Sequence, residues 1–214
     1  MNAYLRRSGC ARVLLKRGAE AELRRTEWRG RPAVDKVRLP KAYRHERIDD
    51  ELRTSRIRTE AHVMSEVRKF GVAVPVLYDV DLRGHRLVME YVEGPTAKEA
   101  LLKRLADPGT IATAVGRLVG TLHAHGIVHG DLTTSNLIWR DGRLYAIDFS
   151  MGGRSAALEA QGVDLRLLKE AWTSVHFDHL GLFERVLAAY RGSYARADEA
   201  IAKLAEIEER GRYT

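Results

Sequence analysis

A single cysteine, Cys10, occurs in the chain of 214 residues. It excludes an internal disulfide framework and fits a reducing compartment. No run of about eighteen apolar residues is present, so a membrane span is not expected. Residues 1–12 lack an apolar core and do not read as a secretory signal. These absences predict a cytoplasmic protein. Hydrophobic residues make up 45% of the chain, an ordinary share that argues against disorder. The length suffices for one domain with a core, or for two small lobes around a cleft. The formal charge is +7 and the pI about 9.7. That balance is compatible with RNA handling or an acidic partner, although abundant arginine on a solvated surface gives the same balance.

The first third of the chain reads as strands. Runs at 11–16, 22–28 and 33–39 are separated by Gly18 and by the turn Arg29-Gly30-Arg31-Pro32, which predicts an antiparallel meander. Residues 49–70 are charged and free of glycine and proline, and Leu52, Ile57, Ala61, Met64 and Val67 recur at helical spacing. This predicts an amphipathic helix ended by Gly71. Strands are expected over 74–80 and 85–91. The only plausible hinge is Val92-Glu93-Gly94-Pro95, which divides the chain into 1–92 and 93–214. Beyond it, helices are expected over 96–106 and 110–125, with Thr96 and Thr110 as N-caps. Strands at 137–140 and 144–147 follow, and the chain reads as helical from Asp164 almost to its end. There is no internal repeat.

The chemistry is concentrated in His129-Gly130-Asp131-Leu132-Thr133-Thr134-Ser135-Asn136, followed twelve residues after the Asn by Asp148-Phe149-Ser150. This is the spacing of a kinase catalytic loop with its metal-binding Asp. Asp131 is the candidate for orienting an attacking oxygen. Asn136 and Asp148 offer the hard oxygen ligands that a nucleotide-bound Mg²⁺ needs. A lone Asp in a turn is usually a cap or turn-former. The His-x-Asp-x-x-x-x-Asn spacing, however, arises by chance only about once in forty such chains, and an Asp-Phe ending the next strand makes coincidence rarer still. The first half should then supply a Lys for the phosphates and a Glu to hold it. Lys36, in the third strand, and Glu60, in the long helix, fill those places. Gly18 in the first turn and Glu90 beside the hinge are further candidates for nucleotide contact, and Lys41 and Arg44 for basic groups near the cleft. His123, His125 and His129 read as capping, packing and hydrogen-bonding groups rather than metal ligands. His176 and His179 lack a recognised metal spacing.

Other parts of a regulated kinase are missing. There is no Gly-x-Gly-x-x-Gly and no Ala-Pro-Glu, and only about fifteen residues separate Asp148 from the helix expected at Asp164. Gly130 stands where an Arg usually pairs with a phosphorylated activation loop. Without that loop the Arg would have no partner.

The chain resembles the small atypical kinase subunit of the KEOPS (EKC) tRNA-modifying complex, in its archaeal form. The resemblance rests on Gly18-Ala19-Glu20-Ala21, Lys36-Val37-Arg38, Lys41-x-Tyr43-Arg44, Asp49-x-x-Leu52, Arg56-x-Arg58-x-Glu60-Ala61 and the loop 129–136. Asp164-Leu165 and Gly211-Arg212 continue it. Ser150 departs from the glycine common at that place. The resemblance implies an α+β, protein-kinase-like bilobal fold with a reduced helical C-terminal lobe. It implies an Mg-ATP-dependent ATPase with serine/threonine kinase activity that supports threonylcarbamoyladenosine formation at position 37 of tRNA. The implied partners are a TsaD-like carbamoyltransferase subunit, a small helical KEOPS subunit and tRNA, with the tail 208–214 linked to tRNA or active-site contact. Two rival readings stand beside it. One is a free-standing RIO-type kinase or small-molecule phosphotransferase; the other is a nucleotide-binding scaffold without catalysis.

Overall fold

The computed structural model describes residues 13–175 and 181–211. His176, His179, Arg212 and the first residues of the expected first strand lie outside the described residues. Five antiparallel strands form the first layer: β1 (Val13–Arg17), β2 (Ala21–Trp28), β3 (Arg31–Arg38), β4 (Leu77–Asp81) and β5 (Arg86–Glu90). Their order is β1-β2-β3-β5-β4, so the expected meander is present and the later hairpin inserts β5 beside β3. The tight β2–β3 turn places Arg29 and Gly30 at φ 51° and 79°, a conformation that matches strand twist.

Helix α1 (Glu46–Lys69) packs on this sheet and begins three residues before the expected start. Gly71 ends it as expected, its N–H donating to Arg68 O and that of Val72 to Val67 O. The inward face differs from the apolar periodicity. Leu52 is 39% exposed. Asp49, Glu60 and Glu66 are buried beside Ile57, Val63, Met64 and Val67. Asp49 and Glu60 face inward because buried or part-buried cations meet them there, while Glu66 meets Arg154 at the surface.

The second part holds α2 (Ala97–Leu102), α3 (Pro108–Ala124), α4 (Leu158–Val175), α5 (Leu182–Arg191) and α6 (Ala197–Arg210). Short strands β6 (Ile127–Val128) and β9 (Gly153–Arg154) pair with each other, as do β7 (Leu137–Arg140) and β8 (Arg143–Ala146). Thr96 caps α2 in a capping box with Glu99. Thr110 does not cap α3. Asp107 does, accepting the Thr110 N–H and hydroxyl at 2.7 Å each, with Pro108 preset for the first turn. Helix α4 opens at Leu158, not Asp164, which shortens the segment after Asp148 to residues 149–157. Among the described residues the stretch read as helical to the end holds α4, α5 and α6.

One apolar core runs through both parts, from Leu87 and Met89 through Val119 and Leu122 to Trp172 and Tyr190. The segment 92–95, expected as a hinge, is tied to strand β7 by a Trp139 N–H to Pro95 O bond of 2.8 Å. Among the described residues no helix is long and apolar enough to cross a membrane.

Helices α3 and α5 meet closely at Gly116, where a Cβ would lie 2.1 Å from the Val186 carbonyl oxygen. Because the obstacle is backbone, Gly116→Ala should destabilise the protein by about 1–3 kcal/mol through overpacking. Urea denaturation checks this; an unchanged midpoint would show that the helices can separate freely.

Candidate functional site

The site is built where the sheet faces the helical part. Lys36 sits mid-sheet, paired with Leu23 of β2 and Leu87 of β5. Its side chain is 4% exposed, and its Nζ donates to both Glu60 oxygens, at 2.6 and 2.9 Å. Glu60 is fully buried. Neither charge has bulk solvent to fall back on, so each depends on the other. Arg38, two residues along the same strand face, places Nη2 3.3 Å from Glu60.

Asp148 follows β8 and has φ 62°, a left-handed conformation costly for a residue with a side chain and typical of constrained sites. Its Oδ1 lies 2.8 Å from Lys36 Nζ and 3.7 Å from Arg38 Nη2. Lys36 Nζ, already bonded to both Glu60 oxygens, meets this buried oxygen as an ion pair, and a carboxylate oxygen has a second lone pair left for a cation. Burial pushes the carboxyl's pKa up. The Lys36 ammonium, the Ser150 hydroxyl and Arg38 outweigh that and hold it well below the usual carboxylate range. Ser150 thus supports the ionised form of Asp148.

The loop 129–136 is held from beneath. The Asp164 carboxylate of α4 accepts the backbone N–H of His129 at 2.6 Å and of Gly130 at 2.8 Å. Its Oδ2 lies 3.4 Å from His123 Nε2, and His123 Nδ1 meets the Tyr190 hydroxyl at 2.8 Å. The His129 ring packs on Phe149 and its Nε2 donates to Ile147 O at 3.1 Å. That fixes the tautomer and ties the loop to the Asp148 segment. Gly130 has φ 78°, and a Cβ there would lie 2.1 Å from Met151 O. The arginine common elsewhere is therefore excluded sterically, and not only left without a phosphorylated partner.

Asn136 donates from its amide nitrogen to Asp131 O and Oδ2, both at 2.9 Å. The amide oxygen is then the end left for a cation. Asp131 is exposed, at the cleft floor. The two groups border adjoining cavities. One of about 280 Å³ is lined by Gly18, Lys36, Asp131 and Asp148. The other, of about 320 Å³, is lined by Lys36, Glu60, Glu90, Asn136 and Asp148 together with Val34, Met89 and Ile138. The seven residues read as catalytic, metal-binding or nucleotide-binding thus line one cleft with an apolar and a charged end, while Lys41 and Arg44 are not among its lining residues. The Glu90 carboxylate itself is taken by the Val76 N–H at 3.1 Å and faces Arg140 at 3.8 Å.

The residues fit a Mg-nucleotide. Two hard oxygens, one of them the under-bonded Asp148 Oδ1, stand beside a buried ammonium and an apolar wall. Sequence reasoning assigned no role to two residues quoted within the resemblance. Asp164 supports the loop from beneath. Glu20 lies among Arg56 (2.7 Å), Arg38 (3.4 Å) and Arg44 (3.8 Å) in the charged end of the cleft. Lys41 Nζ donates to the neighbouring Ala19 O.

Residues 31–155 match the RIO domain family. The chain is 42% identical to the KEOPS complex subunit Bud32 of Pyrococcus abyssi, covering 94% of this chain and 96% of that one. It is 41% identical to a probable bifunctional tRNA threonylcarbamoyladenosine biosynthesis protein of Methanosarcina barkeri, over 94% of this chain, and spans 35% of that relative's length. Among solved structures, WaaP in complex with acyl carrier protein superposes with a TM-score of 0.60 at 18% identity, covering 95% of this chain and 88% of the other. That likeness speaks for the fold alone.

Burial holds the pKa of His129 below its ordinary 6.5, against the opposing pull of Asp164, Asp148 and Asp131. The unfolded chain therefore takes up the proton first, and stability should fall as pH drops below about 6.5. Urea midpoints measured from pH 7.5 to 5 should decline less steeply in His129→Gln than in the wild type. Parallel profiles would contradict this.

Proposed function

This chain belongs to the RIO domain family, in the group of KEOPS Bud32 subunits, and from that footing we propose that it is a Mg-ATP-dependent ATPase and serine/threonine kinase. The observation that carries the reading is the buried Lys36 held between Glu60 and Asp148 at 2.6 and 2.8 Å, above a loop that presents Asp131. Lys36 contacts the nucleotide phosphates and Glu60 fixes it in place. Asp131 orients the hydroxyl or water that attacks. Asn136 and Asp148 hold the metal. Gly18 and Glu90 border the nucleotide, Glu90 as part of the wall. When bound, Mg²⁺ supplies charge neutralisation at the phosphate oxygens. The chain's own contribution is positioning and a fixed electrostatic field.

The chain works as two lobes, 1–92 and 93–214, around this cleft. It acts in the cytoplasm within a complex that forms threonylcarbamoyladenosine on tRNA, beside a TsaD-like carbamoyltransferase subunit and a small helical subunit. The names of its relatives, including bifunctional proteins of which it spans about a third, support this setting.

Asp131→Ala should lower ATP turnover by roughly 10²–10⁴-fold, and Asp148→Ala by at least as much, with both variants folded by circular dichroism. Turnover should rise when carbamoyltransferase partner and tRNA are added together. Nucleotide binding without hydrolysis, even then, would make the chain a scaffold instead.

Glu20 competes with phosphates for the same three guanidinium groups. Glu20→Gln should tighten binding of a non-hydrolysable ATP analogue by about two- to fivefold, the scale of a part-exposed charge contact. Titration calorimetry reads this directly. Weaker binding would mean that Glu20 orders the loop for the nucleotide rather than excluding it.

A further inference from the structure

A cavity of about 460 Å³ shares no lining residue with the cleft. It lies between the loop that ends α1, the outward stripe of α3, the β7–β8 turn and Arg185 of α5. Three guanidinium groups border it, from Arg117, Arg143 and Arg185, and no Asp or Glu does. Arg143 Nη2 donates to Gly71 O at 2.8 Å, and Arg185 Nε to Thr113 Oγ1 at 3.0 Å. Among the described residues none of the three enters an ion pair. Asp107 attracts Arg185 through space, but its carboxylate is bonded to Thr110.

A guanidinium fixed by a neutral acceptor keeps its whole charge and most of its donors. Two such groups, with Arg117 of α3 lining the same cavity, form a prearranged receptor for phosphate oxygens. The cavity also has an aromatic wall. Phe70 lines it and stacks on His125, with ring centroids 4.0 Å apart and planes 17° apart. Stacked rings beside arginines suit unpaired bases. An acidic peptide would use the charges and leave the rings without a role. The formal charge of +7 would draw any polyanion toward the chain.

We propose that this groove binds the phosphate backbone of an RNA strand, with a base against Phe70, outside the nucleotide cleft. The inference rests on the reading above only in its choice of RNA as the natural polyanion; the groove and its charges stand apart from the cleft chemistry.

The test is binding of transcribed tRNA to the full chain across a series of KCl concentrations. The Arg117→Gln/Arg143→Gln/Arg185→Gln variant should bind more weakly, and its log K against log salt should be shallower by about 2–3, close to one per lost phosphate contact. Phe70→Leu should weaken binding at every salt concentration with the slope unchanged. ATP turnover of the triple variant should match the wild type. Should that variant fail to fold, Arg117→Gln alone, at an exposed position, should still flatten the slope by about one.

An unchanged slope overturns the proposal. So does arginine-dependent binding of polyglutamate with none of tRNA, which would mark an acidic protein partner. Saturation by millimolar inorganic phosphate with tRNA excluded would mark a free-anion pocket and overturn it likewise. Loss of ATP turnover in the Asp131 variant with tRNA binding intact bears on the cleft alone. An inactive wild type that still shows the arginine-dependent slope would sink the kinase reading and leave this one standing.

Discussion

The cleft depends on one buried ion pair, Lys36 with Glu60. Both side chains are almost fully removed from water, at 4% and 0% exposure, so either charge alone would be untenable there. Removing one partner of such a pair costs about 3–5 kcal/mol, because the other is stranded. The pair therefore fixes the rotation of α1 against the sheet. Glu60 must point inward, and Asp49 and Glu66 share the buried face. Arg53 reaches from α1 to His85 at 2.9 Å, and Arg154 meets Glu66, so the helix is docked by polar and charged contacts as much as by apolar ones. A helix held this way has a weak apolar stripe but a sharply defined register.

The second constraint comes from below. Asp164 receives two backbone N–H groups of the loop, and the His129 ring bonds forward to Ile147 O. The loop carrying Asp131 and the turn carrying Asp148 are thereby one rigid unit, with Phe149 buried between them. Gly130 follows from the same closeness. Met151 O occupies the space where any side chain would start. Only residues 149–157 lie between Asp148 and α4, so the chain must turn back directly over the loop. The short segment and the glycine are one fact seen from two sides.

Much of this was legible beforehand. The five-strand part, the long helix and the convergence of Lys36, Glu60, Asp131, Asn136 and Asp148 on one cleft could be read because spacing and residue type agree there. The α1 start, the exposure of Leu52 and the cap of α3 could not. Leu52 fits the period of the apolar face, yet inward positions on the same helix go to carboxylates, Asp49 with Arg53 and Arg44 beside it and Glu60 with Lys36 and Arg38 of a strand more than twenty residues away. Thr110 is a good cap type, but Asp107 with Pro108 wins because proline presets the first turn. The role of Asp164, a residue quoted within the resemblance, was hidden for a general reason: it accepts N–H groups from a loop some thirty-five residues earlier, and no local pattern records that.

Arginine shows the same limit of composition. In the cleft, Arg38, Arg44 and Arg56 converge on Glu20, and Arg38 also meets Glu60. Those charges are balanced within the protein, so an anion entering there must displace an internal one. At Arg143 and Arg185 the fixed partners are a carbonyl and a hydroxyl, so no internal anion has to leave. A polyanion would thus meet a gated cationic site in the cleft and an ungated one in the groove. The difference lies in what each guanidinium touches, which a net charge of +7 cannot express.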